Sequence, residues 1–101
     1  MKPYSVHGEA AIEAKEAILR YESEKKGLGR KLRAAFSDAI RTIRFQPQAF
    51  PCFDERGTRF YVLRRYSFAI YYVELPKRIW ILAFAHTARR PGYWKHRQPP
   101  P

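Results

Sequence analysis

The stretch Arg59-Phe-Tyr-Val-Leu-Arg-Arg-Tyr-Ser-Phe-Ala-Ile-Tyr-Tyr-Val-Glu-Leu-Pro-Lys-Arg-Ile-Trp-Ile-Leu-Ala-Phe-Ala-His86 decides the fold. Aromatic and β-branched residues crowd three runs within it, Arg59 to Arg65, Phe68 to Glu74 and Arg78 to His86, and such residues favour a pleated backbone. The link Glu74-Leu-Pro-Lys77 is short enough for a hairpin, so the runs predict an antiparallel meander. The last run is apolar on both faces, with Ile79, Ile81 and Ala83 on one and Trp80, Leu82 and Phe84 on the other. A strand of that kind is expected to be central and covered on both sides. Alternation also sends Tyr71 and Tyr72 to opposite faces, one into the core and the other onto the concave face of the sheet.

Upstream of Arg59 the apolar period becomes helical. Ala10, Ala14, Ala17, Ile18 and Tyr21 recur along one face of Glu9 to Lys26, with charged residues filling the others. Gly27 and Gly29 read as a stop and turn, since glycine enters left-handed backbone without a Cβ penalty. Leu32, Ala35, Phe36, Ala39, Ile40 and Ile43 then form a second stripe, which Pro47 ends. Two helices joined this closely predict an antiparallel hairpin. Gln48 to Gly57, bracketed by Pro47, Pro51 and Gly57, reads as a loop, and Tyr4 to His7 as a further strand beside the meander. The fold class is therefore α+β: an N-terminal strand and an antiparallel helical hairpin packed on a small antiparallel β-sheet, in the order β-α-α-β-β-β. Residues 1–98 form one domain, and Pro99-Pro100-Pro101 is expected to be a stiff, solvated tail.

Charge bears on partners. The chain has 101 residues, 20 Lys+Arg against 9 Asp+Glu, and a net charge of +11. Residues 59 to 101 hold nine of those cations against the single acid Glu74, so the second half carries most of the positive field. A nucleic acid or an acidic protein fits such a field. A membrane surface fits least, because the basic residues are interleaved with strand-like runs rather than lying on an amphipathic helix. No run approaches the roughly 20 apolar residues that cross a bilayer, and the start lacks the long apolar stretch of a secretory signal, so a cytoplasmic protein is expected. Cys52 is alone, with no partner for a disulfide or a thiolate zinc site, and no metal or other cofactor is expected.

The C-terminal stretch gathers Arg89, Arg90, Lys95 and Arg97 beside Tyr93, Trp94, His86 and His96, with Pro91-Gly92 forcing a turn. Such a cluster suits an acidic partner or a phosphate, and equally a plug in which Tyr93 and Trp94 fold back on the sheet while the arginines are solvated. Candidate binding residues are Arg59, Arg65, Tyr71, Arg89, Arg90, Trp94 and Arg97. Arg59 is also placed to pair with an acid on the helices, Asp38 being one candidate. His86, ending an apolar strand, reads first as a packed, hydrogen-bonded side chain.

Arg59, Tyr66-Ser-Phe-Ala-Ile-Tyr-Tyr72, Ile79-Trp-Ile-Leu-Ala-Phe-Ala-His86, Arg89-Arg-Pro-Gly-Tyr-Trp94 and Arg97 together resemble the toxin subunits of the RelE/ParE superfamily. The resemblance implies the toxin of a type II toxin-antitoxin system, with a role in growth inhibition and plasmid stabilisation, held inactive in a hetero-oligomer by a cognate acidic antitoxin. RelE-like members cleave messenger RNA on the ribosome, and their pattern places an arginine on the middle strand of the meander. Here Phe68 stands at that position, so a nuclease would have to draw on His86, Arg89 and Tyr93. The aromatic middle strand and the His86-x-x-Arg-Arg-Pro-Gly-Tyr-Trp94 tail are similar to the ParE-like arm, although that arm often has proline where this chain has Ser67. Its implied activity is the binding and poisoning of DNA gyrase, without chemistry by the toxin.

Overall fold

The computed structural model describes residues 1–97; the expected proline tail lies outside the described residues. The elements are β1 (Tyr4–Val6), α1 (Gly8–Glu24), α2 (Leu28–Phe45), β2 (Thr58–Val62), β3 (Phe68–Glu74) and β4 (Ile79–His86), in the predicted order. They form a four-stranded sheet ordered β1-β4-β3-β2, with β4 central between β1 and β3. β2, β3 and β4 make the antiparallel meander. The sheet is mixed, because β1 returns through the helical hairpin and pairs parallel with β4, Tyr4 opposite Ile79 and Val6 opposite Ile81. β2 stops at Val62, short of Arg65: Leu63 turns into the core and its amide donates to Phe68 O at 2.9 Å, closing the turn that carries Arg64 and Arg65.

Two details of the hairpin follow from local chemistry. His7 caps α1, its Nδ1 accepting the Glu9 amide at 3.1 Å. Gly27 makes the turn with φ 93°, whereas Gly29, expected to help stop the first helix, is buried inside the first turn of α2. A Cβ there would lie 2.8 Å from Ile18 O and 2.9 Å from Glu22 Cβ, so Gly29 is required where the helices approach each other. Glu22 closes the same junction by accepting the Gly27 and Gly29 amides.

Both faces of the sheet are covered. Leu32, Phe36 and Ile43 from α2 and Ala10 and Ala17 from α1 pack on Ile70, Tyr72, Ile81 and Phe84. On the opposite face Trp80, Leu82, Ala83, Ala85 and Trp94 form a second cluster with Phe53 and Tyr71. The expected division of β4 therefore fails beyond Ile81. Tyr72 faces Ile81 and Tyr71 faces Ala83, so Leu82 is an inserted bulge residue that reverses the alternation. Phe84 then joins the helix side, and Ala83 joins the other.

Candidate functional site

The bulge and the short β1 together leave part of the β4 edge without a strand partner. β1 ends opposite Ile81, and beyond it the Leu82 carbonyl accepts from Arg97 Nη1 at 2.9 Å, while the Phe84 amide donates to Glu13 Oε1 at 3.1 Å. A buried backbone group without a partner is costly, so the side chains here finish what the sheet does not. Glu13 and Arg97 are themselves paired in a fork, Nη1 to Oε1 at 2.9 Å and Nη2 to Oε2 at 3.0 Å, and Arg97 Nε reaches Glu9 Oε2 at 3.0 Å. Tyr93 donates its hydroxyl to Glu13 Oε2 at 2.5 Å, and His96 Nε2 lies 3.0 Å from Glu9 Oε2. Two carboxylates one turn apart on α1 thus hold Tyr93, His96 and Arg97 of the C-terminal segment, and Glu13 also lies within ion-pair distance of Arg89.

This geometry places two of the candidate binding residues inside the fold. Arg97 is only 7% exposed and acts as an internal clamp. Burial alone would lower its pKa, and the hydrogen bonds and charge of Glu13 more than reverse that. Trp94, 1% exposed, is the plug rather than a contact surface, with Tyr71 at 4.6 Å and Phe53 at 5.0 Å between ring centroids. Tyr93 has its phenolic pKa pushed up by burial and by the hydrogen bond to Glu13, which ties down its proton.

The remaining candidates divide into anchored and free groups. Arg59 donates to the Phe50 carbonyl at 2.7 Å and pins the loop before β2; Asp38 lies instead 3.5 Å from Arg41. Tyr72 is the core member of the tyrosine pair, its hydroxyl donating to Pro47 O at 2.6 Å and its pKa pushed up to about 12 by burial. Tyr71 is half-buried on the opposite face, its pKa raised by burial. His86 Nδ1 accepts the Ala88 amide at 3.0 Å, which leaves the neutral ring a proton only on Nε2. Arg89 is exposed, its guanidinium 3.6 Å from the Tyr93 ring centroid and 3.5 Å from Glu13. Arg65 and Arg90 are exposed and have no ion-pair partner among the described residues.

His86 and Arg89 sit on the ridge between two clefts. One, of about 330 Å³, lies against α1 and includes Arg20 and Phe68; the other, about 110 Å³, lies on the outer face with Phe60, Tyr71 and Arg90. No cation enters either cleft from β3, whose residues are Phe68, Ala69, Ile70, Tyr71, Tyr72, Val73 and Glu74. Glu9 and Glu13 are the site residues that sequence reasoning missed. Their signal was present: two acids four apart on α1 with no Lys or Arg at i+4 to either.

No protein-family model matches the chain, and no curated protein sequence matches it. Among solved structures it is similar to a chain of the chromosomal ParDE TA system from P. aeruginosa, 20% identical, with a TM-score of 0.63 over 85% of this chain and 96% of that one. The N-terminal strand, helical hairpin and three-stranded meander of this chain therefore assemble into the fold of a chain in that toxin-antitoxin system.

Proposed function

We propose that this protein is the toxin of a type II toxin-antitoxin system, that it inhibits growth by binding DNA gyrase in the cytoplasm, and that a cognate acidic antitoxin neutralises it. The fold shared with a chain of the ParDE system supports the first part. The observation that carries the binding mode is the commitment of Tyr93 and Arg97 to Glu13. RNA cleavage through the 2′-hydroxyl needs cations at the phosphorane and groups free to move protons. Here the phenol proton is tied to a carboxylate, the fork of Arg97 is filled, and β3 supplies no cation. Losing one preorganised charge at such a transition state costs about a hundredfold to a thousandfold in rate. What stays available is a surface: Arg89, Arg90, His86 and Tyr71 around the two clefts, with Arg65 exposed separately beside Asp38 and Thr42 of α2.

Expression from a tight promoter tests the reading. Replication should stop and the SOS response rise before translation falls, purified protein should inhibit gyrase supercoiling, and co-expression with an adjacent acidic gene product should restore growth. Codon-registered messenger RNA cuts that vanish on Arg89→Ala or Tyr93→Phe would replace it with the ribosome-dependent nuclease.

A further inference from the structure

Most acids of this chain have internal work. Glu9 and Glu13 hold the C-terminal segment, Glu22 caps α2, Glu74 holds Lys2 at 2.8 Å, and Asp54 accepts the Arg56 and Thr58 amides. The surface cations are left with few counter-charges, and nowhere more than at the tip of the helical hairpin. Lys25-Lys-Gly-Leu-Gly-Arg-Lys-Leu-Arg33 contains five cations and no acid. All five are exposed, and none takes part in an ion pair among the described residues. Glu24 is the one nearby acid not already engaged with backbone amides.

The placement runs against local electrostatics. Arg30 and Lys31 lie in the opening turns of α2, which has no acid in its first turn. A helix N-terminus carries partial positive charge and favours anions, so cations here repel both one another and the helix end. Glu22, which accepts the Gly27 and Gly29 amides, offsets the helix end but forms no ion pair with the five cations. An external polyanion would offset them.

We propose that the hairpin tip binds the phosphate backbone of a nucleic acid duplex without reading its sequence. A phosphate backbone matches long, exposed cations spread along one surface, of which Lys26, Arg30 and Arg33 line one open groove, and release of its counterions supplies the free energy. The competing occupant is an acidic protein segment, which needs an apolar anchor; Leu19, 59% exposed, is the one apolar side chain of that degree of exposure beside Lys26, Arg30 and Arg33. Five cations against one leucine favour the duplex. The inference goes beyond the toxin reading and holds or fails without it, because its test reads binding and not growth.

Full-length protein titrated into a labelled random-sequence 20-bp DNA, read by fluorescence anisotropy between about 50 and 200 mM salt, tests the inference. The Arg30→Gln, Lys31→Gln, Arg33→Gln triple variant should bind at least about tenfold more weakly, with a log-log salt slope shallower by about 2 to 3, since each lost phosphate contact removes about 0.9. Lys15→Gln, Arg56→Gln, Lys77→Gln carries the same net charge and should change affinity less than about twofold if the tip is the site. Should the first triple fold poorly by circular dichroism, Lys25→Gln with Lys26→Gln, in the turn, tests the same surface. Equal losses in the tip and control variants would overturn the proposal. So would loss of binding on Leu19→Gln, or displacement of the duplex by poly-glutamate at equal charge concentration, either of which would assign the tip to an acidic protein.

Discussion

The C-terminal segment and the hairpin tip carry similar numbers of cations, four Lys+Arg in residues 89–97 and five in residues 25–33. They use them in opposite ways. In the segment, Arg97 is buried in a fork with Glu13, Arg89 lies over Tyr93, and Lys95 Nζ is 6.0 Å from the Phe53 ring centroid. Only Arg90 is unengaged there among the described residues. At the tip every cation faces solvent. Charge density in a sequence is therefore not charge availability on a surface, and the difference lies in where the acids of α1 point. Glu9 and Glu13 turn toward the segment, while Glu22 turns into the helix junction.

The largest effect expected from this contrast is on stability. Arg97→Ala leaves the Glu13 carboxylate and the Leu82 carbonyl buried without their partner and should cost about 3 to 5 kcal/mol. Trp94→Ala, which opens a cavity in the aromatic cluster, should cost a similar amount, about 3 to 5 kcal/mol. Arg33→Ala at the tip should stay within about 0.5 kcal/mol. Urea unfolding compares the three, and a tip variant as costly as Arg97→Ala would erase the distinction between the regions.

Acid sharpens the contrast next. The pKa of Glu9 is held below its ordinary 4.5, chiefly by the hydrogen bond with His96, which with the charges of Arg97 and His96 outweighs the opposing effect of desolvation. A depressed folded pKa stabilises the fold above the unfolded value, and that contribution disappears as pH falls through the folded value. Melting temperature should therefore fall below about pH 4.5, with Trp94 fluorescence reporting release of the segment. Glu9→Gln should flatten that part of the profile. An unchanged profile would show that Glu9 does not hold the segment.

A small stability change, and the one most informative for function, belongs to the exposed cations at the edge of the clamp. Arg89→Ala with Arg90→Ala removes one exposed cation–π contact, one long, exposed ion pair to Glu13 and one free charge, so stability should drop by less than about 1 kcal/mol. Growth inhibition after induction should fall markedly. Full toxicity in this double variant would move the target-binding face away from the two clefts.

The strand runs, the helical stripes and the glycine turn are written in local periodicity, because a half-buried strand or helix must repeat its apolar residues at its own pitch. That is why the α+β class, the element order and the central place of β4 can be read from residues alone, and why Tyr71 and Tyr72 separate by simple alternation. The same rule fails at Leu82, where an inserted residue reverses the faces without any mark in composition. Gly29 resembles a helix stop in the sequence and is instead the close approach of two helices. Arg97 resembles a contact residue until α1 is folded beside it, for it is Glu13, more than 80 residues away in the chain, that decides that the guanidinium is internal, and Trp94 resembles one until Phe53 and Tyr71 close around it on the other face of the sheet. Local pattern fixed what each segment becomes; which cations were left for a partner was set by contacts between segments, since a charge is available only when no acid of the same fold has reached it first.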